Sequence, residues 1–212
     1  MRAGHWLIMA AGFALAAGGA RADSRAVAIL DAGLPLPGSA FEEARAMPLA
    51  PGQRLICDTD VDKPRLEPAR ILEPQSGRGS ARVRRCSVFA PAAGGEVWTQ
   101  AAIATLAGPA RLWLVFVEQG AGGRFNLVQV RLSAARDQWD RIAAALGGTL
   151  GPGAADGSRY LSWVDSRHET LMFVDGKHPS EFKIVVDDVR LRRLLRSPGA
   201  LPNPAPALPN SD

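Results

Sequence analysis

The chain has 212 residues, 47% of them hydrophobic and 22% charged, with a formal net charge of +4 at neutral pH. That balance is ordinary for one globular domain with its own core, and no segment beyond the N-terminus nears the roughly 20 consecutive apolar residues that a transmembrane helix requires. The basic residues are nearly all arginine, with lysine only at Lys63, Lys177 and Lys183, a habit of GC-rich bacterial coding, so the positive charge singles out no partner.

The N-terminus reads MRAGHWLIMAAGFALAAGGARADS. Arg2 supplies a positive start, Leu7 to Ala17 an apolar stretch too short to span a bilayer comfortably, and Ala20-Arg21-Ala22 a small-x-small site before Asp23. This is the pattern of a secretory signal peptide over 1–22, cleaved after Ala22. The expected address is the periplasm or the medium, the mature chain is expected to be soluble, and export takes it away from nucleic acid.

Residues 23–50 read as a lead-in. Ser39-Ala40-Phe41-Glu42 has the S-x-x-E form of a capping box, which predicts a short helix over about 40–47 ended by Pro48 and Pro51. Short strands follow at 54–57 and 83–89, separated by a Pro, Gly and Arg-rich loop, and 98–106 favours a strand that ends at Gly108-Pro109. LWLVFV at 112–117 is apolar on both faces, as a central covered strand should be. With a turn at Gly120 to Gly123 and the alternating FNLVQVRL at 125–132 it reads as a β-hairpin.

SAARDQWDRIAAALGG places Trp139, Ile142, Ala143 and Leu146 on one helical face, with Ser133 available as a cap and Gly147 as a stop. Strands at 160–164, 170–174 and 182–186 then form an antiparallel meander with turns at 165–168 and 175–176. Asp187 or Asp188 caps a last helix, with Leu191, Leu194 and Leu195 on one side and Arg190, Arg192, Arg193 and Arg196 largely on the other, until Gly199. The tail from 198 to 212 is proline-rich and expected to be disordered. The whole predicts a single α+β domain over 51–197. Its antiparallel sheet runs strand, strand, helix, three strands, helix, with the helices packed on one face.

Cys57 and Cys86 are the only cysteines. In an oxidising compartment they are expected to form a structural disulfide, since their spacing is unlike the C-x-x-C of a redox catalyst. After Cys57 come Asp58, Asp60 and Asp62, the opening of a calcium loop. Lys63 and Ala69 stand where such a loop needs glycine and a bidentate glutamate, so a solvated acidic loop is preferred to a weak cation site.

His168 and His178 are the only histidines after the signal peptide, too few for a recognisable zinc set. Asp165-Ser166-Arg167-His168 holds the residue types of a serine triad, but adjacent turn residues rarely make a directed hydrogen-bond chain, and no G-x-S-x-G exists. Trp113, Trp139 and Trp163 fall at core positions, whereas Trp98, after Gly94-Gly95-Glu96, is the tryptophan expected at the surface, where it could meet a sugar or a protein. The arginines of the last helix could touch anionic lipid from the periphery, although an ordinary solvated face is preferred.

Residues 125–195 resemble a recurring kind of small exported bacterial protein of unknown function, in which a β-hairpin leads into a helix ending in Ala-Leu, a Gly-x-Pro-like break, a tryptophan-bearing strand and two further strands. The matching residues are Val128-Gln129-Val130, Trp139, Ala145-Leu146, Gly151-Pro152, Trp163 and Phe182-Lys183-Ile184. The resemblance implies a fold and an extracytoplasmic address but no reaction.

The leading expectation is thus an exported, non-enzymatic domain without cofactor that binds a protein or an envelope component. An envelope hydrolase that joins His168 or His178 to a distant carboxylate, and a cation- or oligosaccharide-binding module at Asp58 and Asp60, are the alternatives.

Overall fold

The computed structural model describes residues 33–73, 82–105, 108–120 and 123–195. The expected signal peptide, the first part of the lead-in, the Gly199 stop and the proline-rich tail lie outside them. Helix α1 (Phe41–Arg45) precedes strands β1 (Arg54–Cys57), β2 (Leu66–Glu67), β3 (Val83–Pro91), β4 (Trp98–Gln100), β5 (Ala102–Thr105), β6 (Gly108–Gln119) and β7 (Arg124–Ala135). Helix α2 (Trp139–Leu150), strands β8 (Ala154–Ala155), β9 (Tyr160–Val164), β10 (His168–Val174) and β11 (Glu181–Asp188), and helix α3 (Val189–Leu195) complete the order.

The eleven strands among the described residues join one sheet in the order β2-β4-β3-β6-β7-β11-β10-β9-β8, with β1 on β3 and β5 on β6. The expected α+β arrangement with helices on one face is corrected on three counts. The fold is dominated by the sheet; its pairing is mixed, because β2 runs parallel to β4; and the three α-helices among the described residues are short and divided between the faces. Phe41 and Ala44 of α1 and Ile142 and Leu146 of α2 pack with Leu112, Leu114, Phe116 and Ile184 on the first face. Leu191 and Leu195 of α3 pack with Val115, Val117 and Val128 on the second.

The expected hairpin and meander are present: β6 pairs with β7, and β9, β10 and β11 pair in turn, all antiparallel. The long strand β7 contains a feature that simple alternation does not show. Val115 pairs with Gln129 but Phe116 with Leu127, so Val128 is an extra residue in the ladder. A one-residue insertion swaps the two faces of a strand. Phe125 and Leu127 before the bulge, and Val130, Leu132 and Ala134 after it, therefore all reach the first face, while Val128 is left to receive α3.

A second departure lies between β3 and β6, which pair only up to Ser87 and Trp113 and then part. The segment read as one strand at 98–106 enters this fork as two, β4 continuing the ladder on β3 and β5 on β6. The apex is closed by side chains: the Ser87 hydroxyl donates to the Leu112 carbonyl at 2.6 Å and receives the Gln100 amide at 2.7 Å. Burying a hydroxyl without such partners would cost about 1–3 kcal/mol.

The lead-in is part of the core. Leu34, Phe41, Ala44 and Met47 are buried in the same cluster as the strands, and residues 38–40 lie against β7 where β11 no longer covers it, since the β11 ladder stops at Gln129. Gly38 N–H donates to the Leu127 carbonyl at 2.7 Å, Leu127 N–H to the Ser39 carbonyl at 2.8 Å, and Ala40 bridges Asn126. The predicted capping box does not form, because Ser39 is spent in this strand-like pairing and Ala40 takes the cap position without a side-chain bond. Gly38 has φ +97°, and an added Cβ would stand 2.4 Å from Arg167 Nη2, so only glycine fits this approach.

Helix α2 starts later than expected, at Trp139, after a 3-10 turn at Arg136–Gln138. Ser133 remains in β7, paired with Arg111 and Lys183, because two ladders outweigh one cap. The helix passes Gly147 and ends at Leu150, and the Gly151 carbonyl receives Trp163 Nε1–H at 2.9 Å. Asp188 is the cap of α3: its Oδ1 accepts from Arg190 N–H at 2.9 Å and Leu191 N–H at 3.0 Å.

Candidate functional site

The cysteines sit opposite each other on β1 and β3, joined by a disulfide and fully buried. Beside the bridge, the acidic stretch folds inward. Asp58 accepts from Arg85 N–H at 3.1 Å and pairs with the Arg85 guanidinium at 3.4 Å. Asp60 accepts from Cys57 N–H at 2.9 Å and from Arg45 of α1 at 2.7 Å. Burial pushes the Asp58 carboxyl above its ordinary value, against the pull of Arg85, and burial likewise lowers Arg85. Asp62 stays exposed. The three aspartates thus part company, two of them bound to arginines and backbone, and no group of three or more His, Cys, Asp or Glu among the described residues is arranged to hold a metal.

The triad-like turn is a turn. Asp165 Oδ1 accepts from the N–H groups of Arg167 at 2.7 Å and His168 at 2.6 Å, which closes the β9–β10 connection. His168 is buried with Nδ1 at 3.8 Å from Asp165 Oδ2, while Ser166 is exposed. His178 belongs to another turn, where its N–H donates to the Asp175 carbonyl at 3.0 Å and its side chain is exposed. Trp98, expected at the surface, is half-buried against Leu66, Leu72 and Phe89, with the Arg54 guanidinium 5.5 Å above its ring.

The arginines of α3 divide. Arg190 and Arg193 are exposed, but Arg192 turns inward to pair with Glu169 and, at 3.1 Å, with Asp187. Asp187 also accepts from Gln129 at 2.7 Å, and Gln129 in turn receives Arg131 at 3.0 Å. Desolvation raises the Asp187 carboxyl despite these donors and lowers Arg131 despite Asp187 and Asp175. For Arg192 burial works against the charge, but Glu169 and Asp187 outweigh it and raise the group. Arg192 therefore clamps α3 to the sheet, where the sequence suggested one more solvated charge.

The strongest constellation involves residues with no motif. Arg84 of β3 lies on the first face with its guanidinium carbon 3.8 Å from the centre of the Phe125 ring and 4.7 Å from that of Phe41. Phe41 in turn meets Phe116 edge-on at 5.1 Å. Both rings present their negative π-faces to the cation, an arrangement worth about 0.5–2 kcal/mol per contact. Arg84 is half-buried, its Nε is fully buried without a hydrogen bond, and no described carboxylate pairs with it.

This guanidinium helps line an open cleft of about 620 Å³, together with Ala40, Phe41, Glu42 and, from the β6–β7 end, Gln119, Arg124, Phe125 and Asn126. One wall is held by the lead-in, because Asn126 Nδ2 donates to the Gly38 carbonyl at 3.1 Å. The cleft is within the roughly 300–1,000 Å³ typical of ligand pockets. Sequence reading missed it because Phe41, Arg84 and Phe125 are far apart in the chain; the only local sign was the Arg84-Arg85 pair in an otherwise core-forming strand.

No helix among the described residues is long and apolar enough to cross a membrane, and the buried disulfide is compatible with an extracytoplasmic protein. The chain matches no protein family model, no curated protein and no solved structure.

Proposed function

We propose that the protein is exported through the signal peptide at 1–22 and works in the periplasm as a non-enzymatic binding domain that takes a protein or an envelope component into the cleft around Arg84. The observation that carries this reading is the Arg84 guanidinium, in contact with the Phe41 and Phe125 rings in a cleft and lacking any ion partner among the described residues. A structural arginine is normally paired when it is desolvated, because an unpaired buried charge is costly. One held over two aromatic rings, with an open cleft beside it, is prepared to receive a group from outside. The resemblance of residues 125–195 to small exported proteins agrees with the address.

The test uses the mature chain, residues 23–212, immobilised and exposed to periplasmic extract in parallel with an Arg84→Ala variant of matched secondary structure. One dominant component retained by the wild type and lost by the variant is expected. Equal retention by both, or none by either, refutes the reading.

A further inference from the structure

Resting on that reading, we infer that the group recognised in the cleft is a carboxylate monoanion, gripped by the in-plane N–H donors of Arg84. The guanidinium carbon lies over the Phe125 ring at 3.8 Å and over the Phe41 ring at 4.7 Å. A cation–π contact uses up no N–H donor, and the buried Nε–H has no hydrogen-bond acceptor among the described residues. Since Nε is enclosed, the two terminal NH2 groups are the donors left for a ligand, and their side-by-side N–H bonds match the two oxygens of a carboxylate.

The charges around the cleft favour one negative charge over two. Arg84 and Arg124 bring two positive charges and Glu42 one negative, all lining the same space. A carboxylate balances that set, whereas a phosphate dianion overshoots it and meets Glu42 as a second like charge. Phe41 and Phe125 line the cleft but are mostly buried, so only a narrow apolar edge lies beside the guanidinium for the carbon that bears the acid. Arg124, Gln119 and Gly123 at the rim are exposed, so a ligand can continue outward as well as end within the cleft. The acid can therefore be a small organic molecule or the terminus of a peptide.

The experiment follows the arginine Nε–H resonances of the full mature chain by NMR during titration with four probes: benzoate, N-acetyl-trialanine with a free C-terminus, the same peptide as its C-terminal amide, and inorganic phosphate. The Arg84 signal is identified by its loss in Arg84→Lys and is expected to shift with a carboxylate probe and to stay still with the amide. Response to benzoate alone supports a small acid, and response to the peptide acid a chain terminus. Arg84→Lys, which keeps the charge but not the fork, is expected to weaken binding about tenfold, equivalent to about 1.4 kcal/mol. Glu42→Gln, at an exposed wall position, is expected to strengthen binding about threefold and provides a second readout should the Arg84 variant fold poorly.

Equal response to acid and amide, tighter binding of phosphate, or no response to either carboxylate overturns the inference. If extract retention still depends on Arg84 while both carboxylates fail, the ligand class falls and the binding reading stands.

Discussion

The two faces of the sheet are built from the same strands and held by different physics. On the first, Leu112, Leu114, Phe116, Leu132, Phe182 and Ile184 are buried against α1 and α2 in one apolar cluster, where stabilisation follows removed area at about 25 cal/mol per Å². On the second, two small apolar clusters sit under α3 and under residues 66–72. The ground between carries polar pairs: Arg85 with Asp58, Arg111 with Glu181, Lys183 with Asp175, and Arg192 with Asp187 and Glu169. The first face supplies most of the apolar burial, whereas the pairs on the second, several of them partly exposed, add little net energy and serve mainly to fix where its coverings lie. The Arg84 cleft opens at the margin of the first face, where the dry core gives way to a charge with aromatic neighbours.

The largest effect should come from the dry face. Phe182 is fully buried and meets Trp139 of α2 edge-on at 5.5 Å, so Phe182→Ala is expected to cost about 3–5 kcal/mol in urea unfolding. A cost near zero would break the distinction, because it would mean that α2 rests on the sheet without closing it. The disulfide comes next. Cys57 and Cys86 are 29 residues apart in sequence, and replacing both by alanine is expected to lower stability by about 3–4 kcal/mol, mainly by releasing the unfolded chain. Unchanged stability, together with two free thiols in the exported wild type, would remove the staple from the account.

The sharpest test lies in two adjacent aspartates. Burial works against the Asp188 charge, but the N–H groups of Leu191 and Arg190 and the Arg167 guanidinium outweigh it and hold the carboxyl below its ordinary value. Its contribution is therefore present above the unfolded value of 3.8 and lost as pH falls through the lower folded value. Asp188→Ala should cost about 1–2 kcal/mol at neutral pH. Asp187 has the opposite sign: desolvation raises it, so its contribution is complete below 3.8 and disappears as pH rises through the folded value. Relative to the wild type, Asp187→Asn should therefore fare better at pH 7 than at pH 3, because it removes a carboxyl whose charged form burial disfavours. Thermal melts of the two variants from pH 3 to 8 compare them directly, and parallel curves would refute the assignment.

Much of the local structure was legible. The strand at 54–57, the β6–β7 hairpin, the meander, the amphipathic face of α2 and the cap of α3 each declare themselves within a few residues, because their signals are periodicity, turn chemistry and capping. The bulge at Val128 did not, since an inserted residue shows only when the partner strand is known. The fork that takes β4 and β5 depends on where β3 and β6 part. Ser39 reads as a cap but serves as strand backbone, as tertiary pairing overrode a modest local preference. Asp58, Asp60 and Arg192 read as solvated charges because nothing in their neighbourhoods names Arg85, Arg45, Glu169 or Asp187 as the partner that draws them in.

The amino-acid sequence by itself settled which short segments extend, which coil and which two sulfurs are available to meet, because these choices are made by side chains within about one turn or one strand of each other. Only the folded arrangement decided which faces those segments share, how the helices divide between them, and that Phe41, Arg84 and Phe125 converge on one cleft. Such meetings are governed by strand register and packing between residues distant along the chain, and a single residue of slippage redistributes every one of them.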